Sequence, residues 1–160
     1  MKKSLILTLA LLMAFSLIIS AAADVPQVSS NLFSTAKEAL RCLASGEYER
    51  LVTILPFSGI SPGADEWRAF AGKNFSTLQN GVQTEYAVAY WNGSGWCVAV
   101  PLSAPSSDSV EVFALLSGDG QSFSGYRYAN WGYVRSEMQR SDHVVWNKEY
   151  VDASLVIAFD

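Results

Sequence analysis

The residues able to do chemistry are few and scattered. His143 is the single histidine, it follows Asp142, and the two cysteines are Cys42 and Cys97. A nucleophilic relay needs a serine held on a sharp turn against the imidazole, and no Gly-x-Ser-x-Gly run occurs. His143 therefore reads as a loop or surface histidine. One imidazole and two distant thiols fall short of a zinc ligand set, and Asp119 in Gly-Asp-Gly lacks the further carboxylates of a calcium loop. No metal and no cofactor are expected.

Glu85 is the best placed carboxylate. In a strand it would share a face with Ala87 and Ala89, whose short side chains leave room above the sheet. A carboxylate in such an apolar recess is raised in pKa and can act as a general base, with Glu111 on a neighbouring strand as a second acid. The alternative is that the alanines admit a closely packed helix while Glu85 stays in water. The best recognition candidate is aromatic: Phe123, Tyr126, Tyr128, Trp131 and Tyr133 crowd together, interrupted by Gly125, Asn130 and Gly132. Tyr and Trp bring large contact area at low entropic cost, so Tyr126, Tyr128, Trp131 and Tyr133 suit a binding surface. The alternative is that these rings fill the core.

The elements that must position these groups centre on 83–102. Apolar residues alternate on both sides of Asn92-Gly93-Ser94-Gly95, the period-2 signal of a hairpin. With that turn Trp91 opposes Trp96, Tyr90 opposes Cys97, Ala89 opposes Val98 and Val88 opposes Ala99. Both faces are apolar near the tip, so both meet something. Upstream, Leu32, Phe33, Ala36, Ala39, Leu40, Leu43 and Ala44 form a helical stripe, with Ser30 or Asn31 as N-cap and Gly46 as stop. A shorter helix restarts at Glu47 and ends at Pro56. A third, opened by Ser61-Pro62 and closed by Asn80-Gly81, presents Trp67, Ala71, Phe75 and Leu78 on one face. Downstream, Val110 to Ser117 and Ser122 to Tyr128 alternate as strands around an Asp-Gly turn. Val144 to Trp146 and Ala153 to Phe159 read as further strands, and Tyr133 to Arg140 as either strand or helix. Helices first and antiparallel strands after predict an α+β fold, with N-terminal helices packed on one face of a curved sheet that closes a pocket or interface on the other.

Composition bounds the setting. Lys2 and Lys3, an apolar run from Leu5 to Ile19 and Ala21-Ala22-Ala23 read as a cleaved export signal over 1–23, of bacterial type, leaving 24–160 as one domain. That part has 137 residues (160 minus 23), with all fifteen carboxylates and nine of the eleven Lys and Arg, a net charge near −6. An acidic chain without a basic cluster argues against nucleic acid and anionic membrane surfaces as partners. A Cys42–Cys97 disulfide would contribute roughly 4 kcal/mol in the chain-entropy model. Cys42, however, lies about 130° from the centre of its helix's apolar face, counting ~100° per residue, so two separate thiols are expected.

Ala39 to Leu55, ALRCLASGEYERLVTIL, resembles the opening of the nuclear-transport-factor-2-like superfamily, where a helix ends in a small-Gly-acidic-aromatic step and a second helix follows. The resemblance implies a cone-like fold with a pocket between helices and sheet, and no particular catalysis, since that fold hosts enzymes, ligand binders and interaction domains alike. Ser124-Gly125-Tyr126-Arg127-Tyr128 is similar to the Ser-Gly-x-x-Tyr motif of periplasmic C-type lysozyme inhibitors, and Trp146-Asn147-Lys148 to their closing segment, although Glu149 replaces the expected glycine. That likeness implies Ser124 and Tyr128 as the residues presented to a target. The expectation is an exported, non-catalytic domain that binds a small molecule, glycan or protein. An acid–base enzyme using a pocket carboxylate and a secreted hydrolase inhibitor are the alternatives. Catalysis requires a buried carboxylate in a pocket of about 300 Å³ or more.

Overall fold

The computed structural model describes residues 24–76, 78 and 86–147. The expected signal over 1–23, Glu85, the start of the hairpin strand, the Asn80-Gly81 stop, the closing segment from Lys148 and the strand Ala153 to Phe159 lie outside the described residues. Among those described, no helix is long and apolar enough to cross a membrane.

The fold is α+β. Helix α1 (Ser30–Ser45) starts one residue earlier than its apolar stripe suggests, because Ser29 Oγ accepts from the Asn31 amide at 3.3 Å. It stops at Gly46, whose φ of 71° lets Gly46 N and Glu47 N donate back to the Leu43 and Cys42 carbonyls. Helix α2 (Tyr48–Ile54) folds back along α1 and buries Leu51. It also covers the flank that carries Cys42, which is buried rather than turned outward as the helical wheel predicted. The wheel assumes a single partner below; here a second helix widens the buried stripe.

Helix α3 (Ala64–Asn74) is shorter at both ends than its pattern predicts. Ser61 does not cap it: its Oγ accepts from Phe57 N, and Glu66 reaches back to Gly63 N at 2.7 Å instead. At the other end Asn74 Nδ2 donates to the Phe70 carbonyl, competing with the helical ladder, and Ser76 donates to Glu111. Phe75 and Leu78 still reach the core, from beyond the helix.

Five strands follow: β1 (Val88–Trp91), β2 (Trp96–Pro101), β3 (Glu111–Ser117), β4 (Gly125–Asn130) and β5 (Val144–Trp146). They form one antiparallel sheet in the order β4-β3-β2-β1-β5. The β1–β2 register is the predicted one, with Trp91 opposite Trp96 and Tyr90 opposite Cys97. Asn92 Oδ1 fixes the turn by accepting from the Ser94 and Gly95 amides, and Gly93 takes a φ of 91°. The Asp-Gly signal between β3 and β4 does not make a two-residue turn. Asp119 instead accepts from Gln121 N, Ser122 N, Ser122 Oγ and Ser117 Oγ, and so organises a longer loop that delays β4 to Gly125.

Helix α4 (Trp131–Arg140) settles the strand-or-helix alternative and changes the layering. Asn130 caps it by accepting from Tyr133 N. It lies on the face opposite α1, α2 and α3, where the sequence predicted a pocket or interface. The sheet thus divides two apolar clusters. One holds Leu40, Leu43, Trp67, Val98, Phe113 and Leu115 with the first three helices. The other holds Val88, Tyr90, Cys97, Val112 and Ala114 with Trp131, Val134 and Met138. Cys42 belongs to the first and Cys97 to the second, and both are free thiols, as expected.

Candidate functional site

The aromatic segment is split by the pleat of β4, because successive side chains of a strand leave on opposite faces. Tyr126 and Tyr128 point to the three-helix side. Tyr126 lies 4.3 Å from the Trp67 ring and 4.8 Å from Phe70, and Tyr128 packs on Phe75 at 5.4 Å. Trp131 is buried on the other side against Trp146 at 6.2 Å. Tyr133, on α4, also stands on that side. Tyr128 and Tyr133 are about two-fifths exposed, at 39% and 42%, but on opposite faces, so the four rings do not form one surface. Ser124 and Tyr128 are likewise not on a protruding loop: Ser124 N donates to the Leu116 carbonyl, and Tyr128 sits in β4 opposite Phe113.

Among the described residues no carboxylate is buried. Glu111, at the start of β3, accepts from the Ser76 amide and hydroxyl at 3.1 Å each. It stands at the end of the sheet away from the Trp91–Trp96 tip, since Trp96 pairs with Ser117 and Pro101 with Val112. No three His, Cys, Asp or Glu side chains among the described residues are grouped to hold a metal ion.

Two clefts meet at the hairpin tip. One, of about 430 Å³, is walled by Val25 to Val28, Trp96 and His143 to Val145. The other, of about 480 Å³, is lined by Trp91, Asn92, Gly93, Glu137, Arg140 and Ser141. Val25, Asp142 and His143 line both, so they form one groove around the β1–β5 corner of the sheet. Its outer wall, the leader segment Val25 to Val28 ahead of α1, is tied down twice. Trp96 Nε1 donates to the Pro26 carbonyl at 2.6 Å, and Ser29 N donates to the Gly120 carbonyl at 2.8 Å. Gly120 has to be glycine: its φ is 71°, and a Cβ there would lie 2.4 Å from the Gln27 carbonyl oxygen. On the floor the Trp91 and Trp96 rings meet edge-on, 5.7 Å apart. The rim is polar, with Glu137 paired to Arg140 at 3.0 Å and with exposed Asp142 and His143 beside them.

A second cluster lies under α4. Arg127 leaves β4 between Tyr126 and Tyr128 and so points to the α4 side. Its Nη2 donates to Tyr90 Oη at 2.7 Å and to Cys97 Sγ at 3.4 Å, and its Nη1 to Tyr133 Oη at 3.3 Å. The guanidinium also lies over the Tyr133 ring, 5.0 Å from its centroid. Burial pushes the Tyr90 phenol and the Cys97 thiol up, so both stay protonated at ordinary pH. Burial acts to lower the Arg127 pKa, but its contacts with Cys97, Tyr90 and Tyr133 favour the charged form and leave the pKa raised. These partners are neutral, so they solvate the cation without cancelling its charge.

The chain matches no protein-family model, no curated protein and no solved structure.

Reading the sequence by aromatic count missed Arg127 and the groove. The signal for Arg127 was present: it is the one charge in the alternating strand Tyr126-Arg127-Tyr128, at the position facing Tyr90 and Cys97. The groove had none, because it joins the leader, the hairpin tip and the α4–β5 connection, three stretches far apart in the chain.

Proposed function

We propose that the mature chain is an exported, non-catalytic binding domain whose ligand sits in the groove at the hairpin tip. The observation that carries this is the meeting of the two clefts at Asp142 and His143, over the half-buried Trp91 ring. An aromatic face flanked by a carboxylate, an imidazole and an Arg–Glu pair suits a small polar ligand with an apolar face and several hydroxyls, a glycan above all. Ring stacking provides area and the rim provides directional hydrogen bonds. The described carboxylates support binding over acid–base chemistry, since those on the rim are exposed or ion-paired. The export signal read in 1–23 supports a place outside the cytoplasm.

The test is ligand-observed NMR with maltose, cellobiose and chitobiose, together with tryptophan fluorescence. Saturable binding of at least one disaccharide is expected, weakened about tenfold by Trp91→Ala, and less by Asp142→Ala, an exposed position that leaves the core intact. Binding by none of the three, or binding indifferent to both substitutions, overturns the reading.

A further inference from the structure

Arginines elsewhere in the described chain find carboxylates. Arg41 and Arg50 share Glu38, Arg68 pairs with Asp65, Arg135 with Asp108 and Arg140 with Glu137. Arg127 is the exception, and it is also the arginine drawn in beneath a helix. Three of its N–H groups are spent on two phenols and a thiol, none of which neutralises it. Its Nε is buried and has no hydrogen-bond partner among the described residues. The carboxylate one turn beyond Tyr133, Glu137, is engaged by Arg140. A partly desolvated guanidinium with no ion pair among the described residues is costly, and a chain whose other described arginines pair with carboxylates has left this one open.

The chemistry around the open charge defines what would close it. Tyr133 Oη accepts from Arg127 and thereby keeps its own proton free to donate, and its ring is part exposed, so the donor is reachable. Arg127 Nη1 has a second N–H without a partner among the described residues. These two donors stand side by side around a single positive charge. A carboxylate, with one charge and two oxygens, fits them; a phosphate dianion would bring more charge than one guanidinium offsets, in a chain already acidic.

We propose that Arg127 and Tyr133 form a site for the carboxylate of a small organic acid, with Tyr90 and Cys97 as the neutral cradle that aims the guanidinium. One carboxylate oxygen accepts from Arg127 Nη1 and the other from Tyr133 Oη. Neither Arg127 nor Tyr133 lines the hairpin-tip groove, and neither reading depends on the other.

The experiment is a titration of the intact mature protein with sodium acetate and sodium benzoate, against sodium chloride at matched ionic strength, followed by the Arg127 side-chain ¹⁵N–¹H signal and by thermal melting. A saturable carboxylate effect that chloride does not reproduce is expected. Arg127→Met should weaken it about tenfold or more, and Tyr133→Phe, which keeps the ring on the guanidinium, by a few fold. Should Arg127→Met fail to fold, Arg127→Lys serves, since it keeps the charge and loses the planar fork. Equal effects of acetate and chloride, a response that survives both Arg127 substitutions, or tighter binding of inorganic phosphate than of either carboxylate would each overturn the assignment.

Discussion

Trp67 shows how much one side chain carries. It is fully buried where α3 crosses the sheet, and the rings of Phe57, Phe70, Phe113 and Tyr126 all lie within 6.2 Å of it. Its indole Nε1 is buried without a hydrogen-bond partner among the described residues. Two opposed effects therefore separate by substitution. Trp67→Ala leaves a ring-sized void and should cost about 3–5 kcal/mol in chemical denaturation. Trp67→Phe removes an unsatisfied donor while keeping an aromatic face, and should cost under about 2 kcal/mol. Near-equal costs would mean that the indole N–H is satisfied in solution. That Trp67, Ala71, Phe75 and Leu78 are core residues was legible in their spacing, although two of them enter from beyond the helix. Arg127 was not read as a site, because adjacent residues of a strand were counted together although the pleat sends them apart.

At the scale of elements, the loop from β3 to β4 hangs on one carboxylate. Asp119 accepts from the Ser122 and Gln121 backbone amides and from the Ser122 and Ser117 hydroxyls, which together hold it well below the usual carboxylate range. Because its folded pKa is depressed, its stabilising contribution is complete above the unfolded value. It is lost as pH falls through about 4 and lower. Wild type should therefore lose thermal stability on acidification from pH 5 to pH 3 more steeply than Asp119→Ala, which should melt lower at neutral pH and converge on wild type in acid. Parallel curves would remove Asp119 from the account. The sequence offered Asp-Gly as a tight turn here, and side-chain acceptance by the same aspartate built a wider loop instead. The hairpin at Asn92 to Gly95 was legible down to its register, since its alternating pattern and turn residues pointed to one answer. Helix α4 was not, although Trp131, Val134 and Met138 have helical spacing, because the aromatic and glycine content over 126–133 also suits a strand.

For the whole molecule, the sheet is a partition. Its centre is shielded on both sides, and every residue of β2 is buried. The α+β class followed from the order of the segments, whereas the layering did not, since which face a late helix covers depends on a turn direction that periodicity does not encode. The partition makes Cys42 and Cys97 independent: each is at most 2% exposed and they lie in different cores. A thiol reagent should find no fast-reacting group in the native protein and two after denaturation, without added reductant. One reactive thiol in the native state, or none after unfolding, would contradict this arrangement.

The leader segment bound by Trp96 and Gly120 has a practical corollary. A purification tag or fluorescent reporter joined directly ahead of Asp24 would be attached beside Val25, which lines both clefts, and would compete with the proposed ligand for access. Assays on amino-terminal fusions would then under-report affinity, and comparing such a fusion with its proteolytically trimmed product would expose the obstruction directly.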